Sequence, residues 1–379
     1  MTENPFQLGL LELPESPDLG IRHLSAVFRH TTNSYKFYWF LAILEVVKNG
    51  LNEVSLDLLT AEMLAQVWYP VHYFHLNFGK LDRLGQLALQ LKEKKYLPIQ
   101  TKREEVRDAA LSLMVLDKEF RRDFINLQRY VPTRFLSPWF GVELQGIQKD
   151  PRTQAIKEQA KNAFESSAAP LYRFIEYPHL KGIEIHSDWM DYLSSNFRIV
   201  RGFTLWSLLN YLQQRNPHVP NLQEKFFPPE ERNLNQAKEY WGSILKKEKL
   251  FCPFSGHPIP IKGYSIDHFL PWSFIGHDLI WNLFPISKSV NSSKSDKLPR
   301  LSKYLEPFTL QQYQAMQIFL SQSETKRPKA LDDYINLFRC DYETLKALPL
   351  AHFEAHFRDT FVPLEQMAAN MGFVRNWEL

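Results

Sequence analysis

"YSIDHFLPWSFIGHDLIWNLFPISKSVNSSKSDKLP", residues 264–299, sets an acid and a base side by side between two apolar runs. Adjacent Asp267 and His268 can be surface decoration, a hydrogen-bonded turn, or one corner of a metal site. Their setting separates the three. Upstream, "LFCPFSGHPIPIKGYSID" (250–267) alternates short apolar pieces with Pro and Gly, the mark of a short hairpin rather than a helix. Onward, the polar groups able to converge on the pair are Asn282, Asn291 and Lys294. A strand over 261–268 and a helix near 285–295 let a side chain late in that helix face back onto the strand. Strict alternation sends His268 to the opposite face from Asp267. A strand that ends here and turns into "FLPWSF" relieves that objection. Asp267 and Asn291 both offer oxygen ligands, which suit a hard ion such as Mg²⁺ that keeps several of its waters.

The 379-residue chain is long enough for roughly two or three domains. Hydrophobic content of 44% and charged content of 23% place it with ordinary globular proteins rather than disordered ones. A net charge of only +3 does not announce a nucleic-acid binder. Its distribution says more: from Lys246 to Lys303 nine basic residues face four acidic ones, so the basic excess gathers around the Asp-His pair. Two distant cysteines, Cys252 and Cys340, imply no disulfide framework and suit a reducing compartment. The amino terminus lacks the basic start and apolar run of a signal peptide, and the run "FYWFLAIL" (37–44) is too short to span a bilayer. The expected location is the cytoplasm, with no membrane partner.

Most of the chain reads as helix. "SYKFYWFLAILEVVKNG" repeats apolar residues at helical spacing, with Ser34 as a cap and Gly50 as a stop. "TAEMLAQVWYP" predicts a helix capped by Thr60 and ending at Pro70. Further helices are predicted near 83–95, 102–116, 118–130 and 153–176, and again after residue 305. "RNPHVPNLQEKFFPPEERN" (215–233) is dense in proline and reads as a linker or boundary. The expected organisation is a helical recognition or partner-binding region over 1–230, a small module over 231–305, and a helical region over 306–379.

At this point the residues carry a resemblance. A hydrophobic residue precedes Asp267-His268; Pro271, Ser273 and Phe274 follow, then Asn282, Asn291, Lys294-Ser295-Asp296 and Pro299. This pattern resembles the HNH endonuclease motif, the ββα-metal nuclease fold, and is most like the HNH domain of type II CRISPR effectors. The likeness covers about residues 250–304. It implies a ββα-metal module, which the helical patterns on either side set within a mainly α protein, between a helical amino-terminal region and a helical carboxy-terminal tail. It further implies that Asp267 and Asn291 hold a divalent metal and that His268 is the general base for the attacking water. Asn282 would steady the loop that aims His268, and Lys294 would contact phosphate or steady the metal site. Products would carry a 5′ phosphate and a 3′ hydroxyl. Many HNH proteins hold a structural zinc through paired Cys-x-x-Cys motifs; here "CPFSG" has Ser255 in the second position, so no zinc is expected. An Asn as the third letter leans the metal toward Mg²⁺ or Mn²⁺.

The resemblance implies a DNA endonuclease acting in bacterial restriction or anti-phage defence, the defence role following by analogy from a helical region fused to such a nuclease. Cutting both strands would call for a homodimer, a partner protein or two successive nicks. Three alternatives stand beside it: an RNA nuclease, a nucleic-acid-binding subunit of a larger complex whose HNH module is inactive alone, and an RNA-guided effector, disfavoured because the chain is short and shows no second nuclease motif and no long arginine-rich helix. Other motifs have ordinary explanations. "HFEAHF" puts His352 and His356 on one helix face but lacks the Glu that a zinc-protease helix needs. "EIHSDWMD" has no companion site. "FRRDFINLQRYVPTRF" interleaves Arg with aromatics and fits either a phosphate-gripping surface or, more commonly, a charged helix face over an aromatic core.

Overall fold

The computed structural model describes residues 12–166, 168–229, 232–322 and 329–379, and divides the chain into two compact units, 1–217 and 218–379. The first unit contains α1 (Ile21–Ala26), α2 (Tyr35–Lys48), α3 (Leu56–His72), α4 (Leu84–Lys95), α5 (Arg103–Leu116), α6 (Lys118–Leu136), α7 (Lys149–Asn162), α8 (Ser187–Ser195) and α9 (Phe197–Gln213). Short strands β1 (Glu53–Ser55), β2 (Tyr172–Tyr177) and β3 (Leu180–Ile185) form an antiparallel sheet in the order β1-β3-β2. The protein is mainly α.

Helix α2 is buried almost all round, from Phe37 to Leu44, so it forms the spine of this unit rather than an amphipathic surface helix. Ser34 stands at its amino end, but its hydroxyl and amide both donate to Asp82 instead of capping the helix (2.6 and 2.9 Å). Gly50 ends it with a left-handed φ of +71°. Three expectations need correction here. Helix α3 starts at Leu56 with Ser55 as its cap, and Thr60 instead donates to Leu56 O one turn back. The helix also runs through Pro70 to His72, because a proline this close to the end disturbs little beyond the last turn. The helix predicted over 153–176 stops at Asn162, and its last part is strand β2. There the register Tyr177↔Leu180 leaves a two-residue turn, and pairing with β3 decides the conformation.

The second unit holds α10 (Asn235–Leu245), β4 (Ser265–His268), α11 (Trp272–Ile275), β5 (Leu283–Ile286), α12 (Lys288–Lys294), α13 (Leu301–Gln322), α14 (Asp332–Phe338), α15 (Tyr342–Lys346) and α16 (Leu350–Asn370). Strands β4 and β5 pair antiparallel with His268 opposite Leu283, and α12 follows directly and packs on β4, giving a ββα order. The ββα segment and the carboxy-terminal helices share one core. Phe269, the residue after His268, stacks on Phe308 of α13 (centroids 4.2 Å apart) and meets Phe361 of α16 edge-on (5.4 Å). A Phe308→Ala protein is therefore expected to lose about 3–5 kcal/mol of stability in chemical denaturation. A loss below about 1 kcal/mol would mean that α13 does not anchor the strand carrying His268.

Candidate active site

The site grows from the carboxyl end of β4. His268 closes the strand, and the chain then turns through Phe269 and Leu270 into α11. That turn is clamped by Asn282, which is fully buried. Its side-chain oxygen accepts from Leu270 N (2.9 Å), its amide donates to Leu270 O (3.0 Å), and its own carbonyl accepts from Phe269 N (2.8 Å). Three bonds from one residue fix the backbone just past His268. The loop bearing Asn282 is tied down in turn: Gln312 of α13 donates to Leu283 O (2.8 Å) and Asp333 of α14 accepts from Ile280 N (2.8 Å).

Helix α11 ends at Gly276, whose φ of +71° reverses the chain and whose missing Cβ would stand 2.9 Å from Lys225 Nζ. Asn221 donates to Gly276 O (3.1 Å) and holds the reversal. It swings Asp278 back over His268. Only 3% of the His268 side chain is exposed; Nε2 lies 2.8 Å from Asp278 Oδ1, and Nδ1 lies 3.4 Å from Arg232 Nη1. Arg232 also pairs with Asp278 (3.5 Å) and lies over the Trp272 ring (5.4 Å). A carboxylate can only accept and a guanidinium can only donate. Neutral His268 therefore carries its proton on Nε2 and leaves the lone pair on Nδ1 as the acceptor. Burial lowers the pKa of His268 below its usual 6.5, and Arg232 adds to this, while the bond and charge of Asp278 pull it back up. Burial alone would raise Asp278, but the hydrogen bond from His268 and the charges of His268, Arg232 and His277 hold its carboxyl below the ordinary value.

Asp267 lies on the other side of β4, toward α12. Its Oδ2 is buried, has no hydrogen-bond partner, and sits 3.2 Å from the ammonium of Lys294, close enough for charge pairing but poorly aligned for a hydrogen bond. Lys294 is completely buried, and Nζ has Ser295 O at 3.4 Å as a further contact. Asn291 stands three residues before Lys294 on α12, so the two share a helix face. Asp267 and Asn291 thus belong to the same side of the ββα unit. An under-coordinated carboxylate oxygen is a donor that suits a hard divalent ion retaining its waters. Among the described residues no three His, Cys, Asp or Glu side chains gather into a cage, so any ion here relies on few protein ligands.

Asp278 and Arg232 were not among the residues singled out from sequence. Asp278 lies inside the motif, ten residues past His268, but a lone Asp in a loop carries no signal. Arg232 comes from the proline-dense stretch, where nothing distinguishes it. Three other histidines make structural contacts. His186 caps α8 by accepting from Asp188 N (3.2 Å), and His356 lies 2.9 Å from Leu337 O. His277 packs on Trp281 (5.0 Å), and burial, with the charge of His268, takes its pKa down to about 4. Cys252 is buried, and the "CPFSGH" turn closes on its own backbone through Cys252 N to His257 O (2.8 Å) and Gly256 N to Cys252 O (2.9 Å).

Residues 252–300 match the family model described as HNH endonuclease, a segment that holds β4, β5, α12 and every residue of the site except Arg232. No curated protein and no solved structure matches the chain. The match identifies residues 252–300 as an HNH endonuclease segment, which supports a nuclease of the HNH type. Among the described residues no helix is long and apolar enough to cross a membrane.

Proposed function

We propose that this site hydrolyses DNA phosphodiester bonds, with His268 as general base and a single divalent metal, Mg²⁺ or Mn²⁺, held by Asp267 and Asn291. One observation carries the reading: a carboxylate and a guanidinium distinguish the two nitrogens of His268, leaving a basic Nδ1 at the end of a strand whose other face carries an under-coordinated carboxylate. A phosphate oxygen is a stronger partner for a guanidinium than an imidazole nitrogen is. A docking phosphodiester therefore takes Arg232 for itself and opens Nδ1 to a water. Nδ1 accepts the proton of that water as oxygen attacks phosphorus, and Asp278 steadies the imidazolium that forms. Asn282 keeps the ring in place by fixing the backbone behind it. The metal, when bound, would stabilise charge developing on the phosphate and on the leaving 3′ oxygen. Lys294 neutralises Asp267 until then and afterwards steadies the metal site from behind.

In a bacterial cell such an activity fits restriction or anti-phage defence, and a second copy or a partner would supply the cut on the other strand. The test is cleavage of supercoiled plasmid by wild type and His268→Ala, with Mg²⁺, Mn²⁺ or EDTA. Nicked or linear product confined to wild type with metal is the expected result. Cleavage of RNA in place of DNA would move the substrate assignment, and identical lanes for both proteins would overturn the role of His268.

Asp278 is a positioning residue in this scheme. Asp278→Asn is expected to slow cleavage by about tenfold or more. It should also move the acid limb of the pH–rate profile downward, because the group that raises the His268 pKa has gone. A slower enzyme with an unmoved profile would reduce Asp278 to a packing role.

A further inference from the structure

The first unit contains a cavity of about 720 Å³, within the usual range of about 300–1,000 Å³ for small-molecule sites. Three cationic side chains line it: Lys36 at the start of α2, Arg134 on α6 and Arg152 on α7. Among the described residues no acidic side chain does. Asn126, Tyr130 and Arg134 recur every fourth residue, so one face of α6 forms a wall.

The charges there are poorly compensated. Among the described residues no carboxylate forms an ion pair with Lys36, Arg134 or Arg152. Lys36 Nζ donates only to carbonyls, Val27 O (3.0 Å) and His30 O (3.4 Å). Arg134 Nε is buried with no hydrogen-bond partner, although its guanidinium lies against the Tyr130 ring (5.8 Å). Burial and then the nearby charge of Arg134 bring the Lys36 pKa down to about 8. A buried guanidinium N–H without a partner is costly in a structure that needs it only for itself. The beginning of α2 is not the source of attraction, because Asp82 already occupies it through Ser34. The side chains are.

We propose that this cavity binds a small phosphorylated ligand of nucleotide size, with Lys36, Arg134 and Arg152 on the phosphates and the Tyr130 ring beside the base. Three converging cations suit a diphosphate better than a single anion, and the volume exceeds what inorganic phosphate fills. This site is independent of the HNH chemistry.

Calorimetric titration of the full chain with ADP, pyrophosphate and adenosine tests it. ADP and pyrophosphate are expected to bind, with adenosine weaker by about tenfold or more. Arg134→Gln and Lys36→Gln should each weaken ADP by a similar factor without lowering the melting temperature of the ligand-free protein, since each removes an uncompensated charge. Arg152→Gln gives a third variant on another helix should either of these misfold. No binding of ADP or pyrophosphate at millimolar concentration, or equal binding by wild type and all three variants, overturns the proposal. So does a short single-stranded oligonucleotide that binds through the same three cations and is not displaced by ADP, which would make the cavity part of a nucleic-acid track.

Discussion

A His268→Ala protein is expected to fold and bind nucleic acid while cleaving it about 10²–10⁴-fold more slowly. The fold should survive because the neighbours are held independently: Asn282 still clamps Leu270, and Phe269 still stacks on Phe308. Asp278 keeps Arg232 as a partner, so no orphaned charge is created. The pH profile adds a sharper test. Only a neutral imidazole can accept the proton of the attacking water, and burial depresses the pKa of His268. Wild-type activity should therefore hold level through neutrality and decline only below about pH 6.5, the unperturbed value. Stability follows the same sign. The unfolded chain takes up protons at His268 and His277 near the ordinary value, whereas the folded chain resists, to about pH 4 at His277. Their contribution is complete above the unfolded value and shrinks as pH falls toward the folded one. A rate profile centred well above neutrality would exclude His268 as the base.

How much of this could be read beforehand depended on distance along the chain. Asp267, His268, Asn282, Asn291 and Lys294 lie within one short segment, where spacing on a strand, a loop and a helix largely determines who can meet whom. The roles of Asp278 and Arg232 depend on which way the His268 ring turns, and only a reversal at Gly276 and a residue 36 positions upstream decide that. The same limit applies to Gln312 and Asp333, which reach the Asn282 loop from separate helices. In the first unit, α2 was legible from apolar spacing and the stop at Gly50. The strand β2 was not, because a short apolar run such as "LYRFI" suits either period until a partner strand is present. Ser34 was placed correctly at the end of α2 and still misread in function, since its partner Asp82 lies 48 residues away.

The second large effect is expected at Asp267. Asp267→Ala strips the completely buried Lys294 of its counter-charge and leaves its ammonium, among the described residues, with Ser295 O at 3.4 Å. Breaking a buried ion pair from one side costs about 3–5 kcal/mol, and this should appear in metal-free denaturation. Lys294→Met should cost less, because 14% of the Asp267 side chain remains exposed and water can reach it. The double variant Asp267→Ala with Lys294→Met should regain most of the loss, since it leaves neither charge alone. That recovery is the coupling a double-mutant cycle isolates. Mn²⁺ titration separates the pair's structural work from ligation: Asp267→Ala and the double variant should lose binding, while Lys294→Met should keep it or bind more tightly. The ammonium and the ion compete for one carboxylate oxygen, so removing the first favours the second. If the double variant proves no more stable than Asp267→Ala, the two residues are not coupled. If Asp267→Ala binds Mn²⁺ as wild type does, the ligand lies elsewhere. Both outcomes together would remove the physical basis for pairing Asp267 with Asn291, because the unsatisfied Oδ2 would then be no more than a buried carboxylate oxygen beside a buried lysine.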